Sequence, residues 1–372
     1  MHATGFVYFT FVSFFCVLVP YFQHVFHFFE QPLMNSTKPI SAPFILALAG
    51  LFASVLLGPS SLHAQSSTGN QSVFSFLKLP ATARAAALGA NHVSLQEANG
   101  LLFLSNPAYL NEDSHARLDF SYLNHLSDIN MAAGGGAYHS ERAGTFAIGL
   151  RVVNYGDMRR LGEDGRDEGN FSANDMAFTA GYARPLLENL RVGGAAHLIY
   201  SGYGNFSSSA LAFNLGIYYF YEALDLHIGG VVEHLGRQLS TFNNRHESMP
   251  VDVRLGLSRR LNHVPLRLHL TFHNLHVWDM ENAQDEGSSP DFSTNLMRHA
   301  ALGGELLLSE NITFRLGYDH NQNQDLKVNT RLDTAGLSYG LGIDYRAFTF
   351  DFSRTSFSDL GMLTRIGVQT RL

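Results

Sequence analysis

The segment Val264-Pro-Leu-Arg-Leu-His-Leu-Thr-Phe-His-Asn274 alternates apolar and polar residues from Leu266 onward. On a β-strand, Leu266, Leu268, Leu270 and Phe272 share one face, and Arg267, His269, Thr271 and His273 share the other. An Arg or Asp on the alternating positions of several strands, such as Arg267 here, is difficult to bury in the core of a sandwich. A strand with one side in lipid and the other in a lumen accommodates both sets, so the segment predicts a strand of a transmembrane barrel.

The same alternation recurs through the rest of the chain. We predict an all-β fold, a transmembrane antiparallel β-barrel of about 14 strands over residues 113–372. The strands are placed near 115–124, 130–140, 144–153, 174–184, 190–201, 209–220, 224–234, 250–260, 264–275, 298–308, 310–320, 333–345, 346–355 and 361–372.

The connections between these strands alternate in length. Long ones are expected at Asn154–Ala173, Leu235–Met249, His276–Met297 and Asn321–Leu332, and short ones between them. The even strand number and the alternating lengths predict that both barrel ends lie in the periplasm of an outer-membrane protein. The alternative is a soluble protein of two sandwiches, but the loops of a sandwich would not alternate regularly between long and short along the chain.

The amino-terminal region is expected to be removed before the protein folds. Residues 34–64 have the pattern of a signal peptide, with cleavage after Ala64 leaving Gln65 as the first mature residue. Residues 1–33 are interpreted as an extension from a start assigned too early. The alternative is a membrane-spanning helix over residues 6–29, which approaches the necessary length.

Residues 65–112 differ from the barrel, since they are rich in alanine and do not alternate. They are too short for an independent domain, and we expect them to form a plug or hatch inside the barrel. A flexible tail is the alternative, but apolar residues such as Phe74, Phe76, Leu77 and Leu88 argue against it. Gly135, with Gly134 and Gly136, is expected to leave space for this plug.

Composition and spacing exclude several classes of function. The only cysteine, Cys16, lies in the segment expected to be lost, and the net charge of −7 contains no basic block for nucleic acid. His269 and His273 would be about 13 Å apart on one strand, too far to chelate one metal ion. Neither a paired base near Ser208 nor calcium-loop spacing in 162–169 is found. We therefore predict no enzyme, no metal site and no cofactor.

A resemblance to a known family is carried by the hatch. Phe76-Leu-Lys-Leu-Pro-Ala-Thr-Ala-Arg-Ala-Ala-Ala-Leu-Gly-Ala90 and Ser105-Asn-Pro-Ala108 resemble the amino-terminal signature of the PorV/PorQ family of type IX secretion outer-membrane proteins, which are FadL-like barrels. Gly181-Tyr-Ala-Arg-Pro185 and Thr271-Phe-His-Asn-Leu-His-Val-Trp-Asp279 are closer to the PorQ branch. The resemblance covers nearly all of residues 71–372.

What the resemblance implies is a non-enzymatic subunit of the type IX attachment complex. Such a subunit would anchor a PorZ-like surface partner, together with PorU and PorV-like proteins, for cargo processing and attachment to lipopolysaccharide. The alternatives are a FadL-like transporter of hydrophobic small molecules and a PorV-like cargo shuttle.

The partner surface is expected on the long outer loops, since short turns offer too little area. The predicted apolar anchors are Met158, Leu161, Phe171, Phe242, Trp278, Phe292 and Leu296. Aromatic girdles at the membrane surfaces are expected from Trp278, Tyr200, Tyr203, Tyr218 and Tyr219.

Overall fold

The computed structural model describes residues 72–372 except 96–98, 125–128, 162–163, 165, 281–290, 327–332 and 359–360. The predicted cleavage site at Ala64 and Gln65, with the segments 1–33 and 34–64, lies outside the described residues. Within the described part, no helix is both long and apolar enough to cross a bilayer.

Fourteen antiparallel strands form one closed barrel, in which every strand pairs with its sequence neighbours and β1 pairs with β14. Closure leaves no unpaired edge. The strands are β1 Arg117–Asn124, β2 Asn130–Ser140, β3 Gly144–Leu161, β4 Asp167–Leu187, β5 Leu190–Tyr203, β6 Phe206–Tyr221, β7 Leu226–Ser240, β8 Asp252–Arg260, β9 Leu266–Phe272, β10 Ala300–Leu307, β11 Ile312–Asp319, β12 Leu337–Tyr345, β13 Phe348–Ser356 and β14 Met362–Arg371.

The two faces of the wall follow the predicted alternation. On β3, Phe146, Ile148 and Leu150 are 45%, 60% and 42% exposed, whereas Ala147 and Arg151 on the other face are buried. The barrel thus has an apolar exterior and a mixed interior, as expected for a wall in contact with lipid. The predicted fold class and the outer-membrane location are confirmed. The two ends of the barrel, Arg117 at the start of β1 and Arg371 at the end of β14, lie on the side of the short turns, which is the periplasmic side in such barrels.

Two of the predicted long loops are wrong in extent. Residues 154–173 largely continue β3 and β4 as a hairpin, with register shifts between Asn154 and Asp157 and between Arg159 and Leu161. Each shift is a bulge that breaks the period of two, which is why the sequence pattern stopped at residue 153. Similarly, β7 continues to Ser240, so only the remainder of Leu235–Met249 is a loop.

The hatch, residues 72–112 in the described part, lies inside the barrel. It contains 3₁₀ turns at Ser75–Lys78, Leu102–Leu104, Pro107–Tyr109 and Glu112–Ser114, and one short helix, α1, at Ala83–Ala87. The Oγ1 atom of Thr82 accepts the backbone N–H of Ala85 at 3.1 Å and caps this helix. All five residues of α1 are buried, Arg84 included. Two further helices, α2 Phe292–Arg298 and α3 His320–Leu326, belong to the outer connections.

Candidate functional site: the hatch and the compartment above it

A ring of inward-facing glycines lets the hatch lie directly against the wall. A Cβ atom added at Gly229 would come 1.5 Å from the carbonyl oxygen of Val93, and one added at Gly216 would come 2.1 Å from Oδ1 of Asn106. The hatch thus follows the inner wall at a distance that only glycine permits. The members of this glycine ring are Gly135, Gly149, Gly181, Gly193, Gly216, Gly229, Gly256, Gly303, Gly317, Gly340 and Gly367.

Of the three glycines expected to leave space for the plug, only Gly135 does so. Its Cβ position is 2.9 Å from Cδ2 of Leu101 in the hatch, whereas those at Gly134 and Gly136 meet Phe120 and Leu118 of the neighbouring strand. The difference follows from the period of two, which turns Gly134 and Gly136 to the outer face.

A buried charge cluster ties the hatch to the wall. Nε and Nη2 of Arg84 donate to the two carboxylate oxygens of Glu305 on β10, at 2.8 and 2.9 Å. The same carboxylate accepts from Arg267 at 2.8 Å and from Arg315 at 3.0 Å. Opposite charges with satisfied hydrogen bonds offset the cost of removing these groups from water. We call Arg84, Arg267, Glu305 and Arg315 the Glu305 cluster.

Two more wall arginines bind backbone oxygens of the hatch. Arg151 donates to the carbonyl of Leu77 at 2.9 Å, and Arg254 donates to that of Asn91 at 3.2 Å. Arg254 also pairs with Asp252 at 2.6 Å and with Glu233 at 3.0 Å. The inward charges predicted from the alternation therefore mainly position the hatch in the lumen.

Above the hatch, towards the outer mouth, the lumen becomes apolar. Here the first turn of the hatch packs against inward residues near the outer ends of several strands. Ile199, Ala210 and Ala212 are fully buried in this region. We call it the outer compartment; its buried members are Phe74, Phe76, Leu77, Leu123, Met131, Val153, Ala177, Ile199, Ala210, Ala212, Met249 and Leu363.

A cavity of about 260 Å³ adjoins the outer compartment. Its lining residues are Ser72, Val73, Phe74, Ser75, Ser201, Tyr203, Phe242 and Glu247. The rings of Tyr203 and Phe242 meet edge to face with centroids 5.3 Å apart. The Tyr203 hydroxyl donates to Asp175 at 3.2 Å, and Tyr155 donates to the same carboxylate at 2.5 Å. These bonds fix the tyrosine ring at the wall of the cavity, which combines aromatic surfaces with hydroxyl groups.

The β9–β10 connection carries an exposed aromatic pair. The ring centroids of Trp278 and Phe292 are 5.4 Å apart, and these residues are 42% and 69% exposed. Beneath them, Nε2 of His299 lies 3.0 Å from the carbonyl oxygen of Trp278. At the start of α2, hydrogen bonds from Ser293 and Thr294 lower the pKa of Asp291. The pair therefore sits on a loop that is internally hydrogen-bonded.

The other predicted anchors lie in different settings. Met158 pairs with Phe171 across the β3–β4 hairpin, and both are half-buried. Leu161 is the last residue of β3 and pairs with Asp167; the structure describes its backbone but not its side chain. Phe242 lines the cavity, and Leu296 is half-buried on α2. Among the predicted anchors whose side chains the structure describes, Trp278 and Phe292 are the two that contact each other through their rings.

Two of the five predicted girdle residues face the lumen instead. Tyr218 is 3% exposed and its ring meets that of Tyr109 in the hatch, whereas Tyr203 lines the cavity. Both occupy inward positions of their strands, which a count of aromatic residues does not reveal. Tyr200 is 45% exposed on the outer wall, as predicted.

The two histidines considered as metal ligands, His269 and His273, each lie near a carboxylate of the wall. His269 lies 3.2 Å from Glu305, and His273 lies 3.7 Å from Asp319. Over residues 72–372, apart from the undescribed stretches, no group of three or more His, Cys, Asp and Glu side chains could hold a metal ion.

The chain is similar in structure to known outer-membrane channels. No protein-family model matches it, and neither does a curated protein. It is similar to a TodX deltaS2S3 mutant monoaromatic hydrocarbon channel, at 14% identity and a TM-score of 0.51 over 78% of this chain and 99% of that one. It is also similar to the CymD monoaromatic hydrocarbon channel, at 12% identity and a TM-score of 0.51 over 79% and 98%. At these identities the likeness shows the shared fold, a closed barrel of antiparallel strands.

Proposed function

We propose that this protein is a non-enzymatic outer-membrane channel that receives an apolar small molecule in the outer compartment. The observation that carries the proposal is the change in lumen character: apolar above the hatch, charged where the hatch is held. Binding sites for small molecules are mostly apolar pockets with a few placed polar groups. The FadL-like relatives of the same fold are described as hydrocarbon channels, which supports the proposal.

The cavity suits a molecule about the size of one aromatic ring. An engineered cavity of about 150 Å³ in another protein stays dry and binds benzene. The cavity here measures about 260 Å³ and is bounded by Phe74, Tyr203 and Phe242. The serine hydroxyls on its other side provide partners for one polar substituent.

Uptake of radiolabelled toluene by cells that carry the protein tests this function. Ser201 lines the cavity, and its buried hydroxyl has no hydrogen-bond partner. Ser201→Phe therefore fills the cavity without breaking a bond, and we expect uptake to fall to that of cells without the protein. Ser207→Phe is the matched control, because Ser207 is exposed on the neighbouring strand. Equal uptake by both variants would refute the cavity as the receiving site.

A second candidate function is the docking of a surface protein, as the PorV/PorQ resemblance implies. The exposed Trp278–Phe292 pair supports it, since tryptophan and other aromatic residues are enriched among the residues that dominate binding energy. On this reading the partner is PorZ-like, and PorU, PorV-like proteins and lipopolysaccharide belong to the same assembly. Recovery of the partner from solubilised membranes separates this candidate from the first.

A further inference from the structure

A continuous row of polar side chains crosses six neighbouring strands on the outward face of the barrel. The strand register sets each member directly opposite the next one. With strands about 4.8 Å apart, the row extends for about 24 Å around the wall. We call it the polar row; from β13 through β14 and β1 to β4 its members are Arg354, Thr364, Asn124, Asn130, Asn154 and Asn174.

The polar row lies at the outer border of the apolar wall. Asn124 is the last residue of β1 and Asn130 is the first residue of β2, so both lie at the outer ends of their strands. Two residues closer to the periplasm, the outward positions include Phe352, Ile366 and Met176, which are 38%, 50% and 41% exposed. Aromatic residues are usual at such a border. Here asparagine occupies the border on four consecutive strands, which brings amide groups to the level of the lipid head groups.

Local hydrogen bonds hold two of these amides in place. Oδ1 of Asn154 accepts the backbone N–H of Gly156 at 2.7 Å. Oδ1 of Asn130 accepts the hydroxyl of Tyr122, also at 2.7 Å. An asparagine amide has one oxygen and an NH2 group with two donors. With its oxygen engaged by the backbone, Asn154 presents hydrogen-bond donors to the outside of the barrel.

Arg354 adds a positive charge to the polar row. It faces outward like Phe352, two positions away on β13, and lies directly opposite Tyr339 on β12 and Thr364 on β14. Its Nε atom is buried and has no hydrogen-bond partner within the described part of the chain. No carboxylate belongs to the row. An arginine at this border therefore suits a phosphate group, which a guanidinium binds through two parallel hydrogen bonds.

We propose that the polar row binds the head group of a phosphorylated glycolipid of the outer leaflet, of the lipopolysaccharide type. Arg354 binds a phosphate of this lipid, and the asparagine amides donate to oxygens of its sugars. The acyl chains lie along the apolar wall below the row. Neighbouring amides on four strands match a head group with many oxygens, whereas a single phosphate would leave most of them unused.

Binding of fluorescently labelled lipopolysaccharide to the whole protein in detergent micelles tests this proposal. Phosphatidylglycerol, which carries a phosphate but no sugar ring, is the second probe, and we expect it to bind more weakly. Arg354→Gln should weaken the binding of lipopolysaccharide about tenfold, as expected for the loss of a charge-assisted hydrogen bond. Arg237→Gln is the matched control, because Arg237 also faces outward, opposite Leu211 on β6, but lies outside the polar row.

A second variant tests the amides separately from the charge. Asn124→Ala keeps Arg354 and changes an exposed side chain. We expect it to reduce the preference for lipopolysaccharide over phosphatidylglycerol without changing the binding of phosphatidylglycerol. Equal affinity of the original protein for the two lipids would overturn the proposal. So would an equal loss in Arg354→Gln and Arg237→Gln, or an unchanged preference in Asn124→Ala. These outcomes are independent of toluene uptake.

Discussion

Arg84 in the hatch and Glu305 in β10 form two hydrogen bonds of 2.8 and 2.9 Å, although 221 residues separate them in the chain. The pair joins the hatch, at the start of the described chain, to β10 in the second half of the strand order. Glu305 also accepts from Arg267 and Arg315, so one carboxylate is shared by three buried arginines, of which Arg315 binds Asp351 as well, at 2.5 Å. Hatch and wall therefore form one packed structure, with the outer compartment above it.

Removing Glu305 should destabilise the protein more than removing Arg84. Glu305→Leu leaves three arginines without their shared partner, and we expect a loss of about 3–5 kcal/mol in the free energy of unfolding. Arg84→Leu leaves Glu305 with Arg267 and Arg315, so the loss should be about 1–3 kcal/mol. Urea unfolding in detergent measures both.

The exposed pair of Arg166 and Asp164, 3.1 Å apart, provides the control for these variants. Arg166→Leu should change stability by no more than about 1 kcal/mol. A smaller loss for Glu305→Leu than for Arg84→Leu would contradict the role of the carboxylate as the shared partner.

A methyl group on the glycine ring should displace the hatch. In Gly229→Ala the new Cβ meets the Val93 carbonyl, 1.5 Å from its ideal position, so either the hatch or the strand must move. We expect trypsin to cut at Lys78 or Arg84, which the original protein buries or half-buries. Gly194→Ala is the control, because the nearest atom to its Cβ position is 3.7 Å away. Equal protease resistance in both variants would show that the ring is not needed.

Charges on the lipid-facing wall should be costly. Leu268 and Phe350 lie on the outer face, and Phe350 is 45% exposed to the surroundings. Both lie two residues from the short-turn ends of their strands, so Leu268→Arg or Phe350→Arg should cost about 1–2 kcal/mol, between the values for the interface and for mid-bilayer. Thr349→Arg, next to Phe350 but inward near the periplasmic end, should cost clearly less in the same folding assay. Similar losses at Phe350 and Thr349 would contradict the assigned faces.

Thr271, an inward residue next to the outward Leu270, would not serve as a control for these variants. It is fully buried, and its hydroxyl lies 2.9 Å from Nδ1 of His92 in the hatch. The alternation correctly predicted that Thr271 faces inward, but not that the hatch covers it.

Shortening Asp279–Thr294 tests the docking candidate. Residues 281–290 of this segment lie outside the described part, but Phe292 is exposed beside Trp278. If the loop docks a surface partner, the shortened protein should still run as a heat-modifiable barrel while a PorZ-like partner is lost in a pull-down and cargo appears unattached in the medium. A milder variant, Phe292→Ser, should weaken recovery, whereas Phe206→Ser, at the exposed start of β6, should not. Full retention by the shortened protein would exclude this loop as the dock.

The sequence predicts the barrel well because a wall between lipid and lumen imposes a period of two on every strand. Arg267 and Leu268 show this directly, since one is buried and its neighbour faces outward. The pattern fails at residues 154–161, where bulges shift the period and the strand extends into polar sequence.

The site was much less predictable than the wall. Ser201 lines the cavity together with Phe74 of the hatch and Phe242 of the β7–β8 connection, and a single strand reveals neither neighbour. The glycines offered a usable signal, because eleven of the fourteen strands carry one that faces the hatch. Inward-facing glycines at corresponding positions of successive strands would have indicated where the hatch contacts the wall.

The position of a bound aromatic molecule tests the proposed channel function most directly. Crystals exposed to bromobenzene should show anomalous density from bromine in the cavity between Phe74, Tyr203 and Phe242, and Ser201→Phe should abolish it. An empty cavity in the original protein, or bromine bound equally in Ser201→Phe, would contradict the conclusion that the outer compartment receives an apolar molecule.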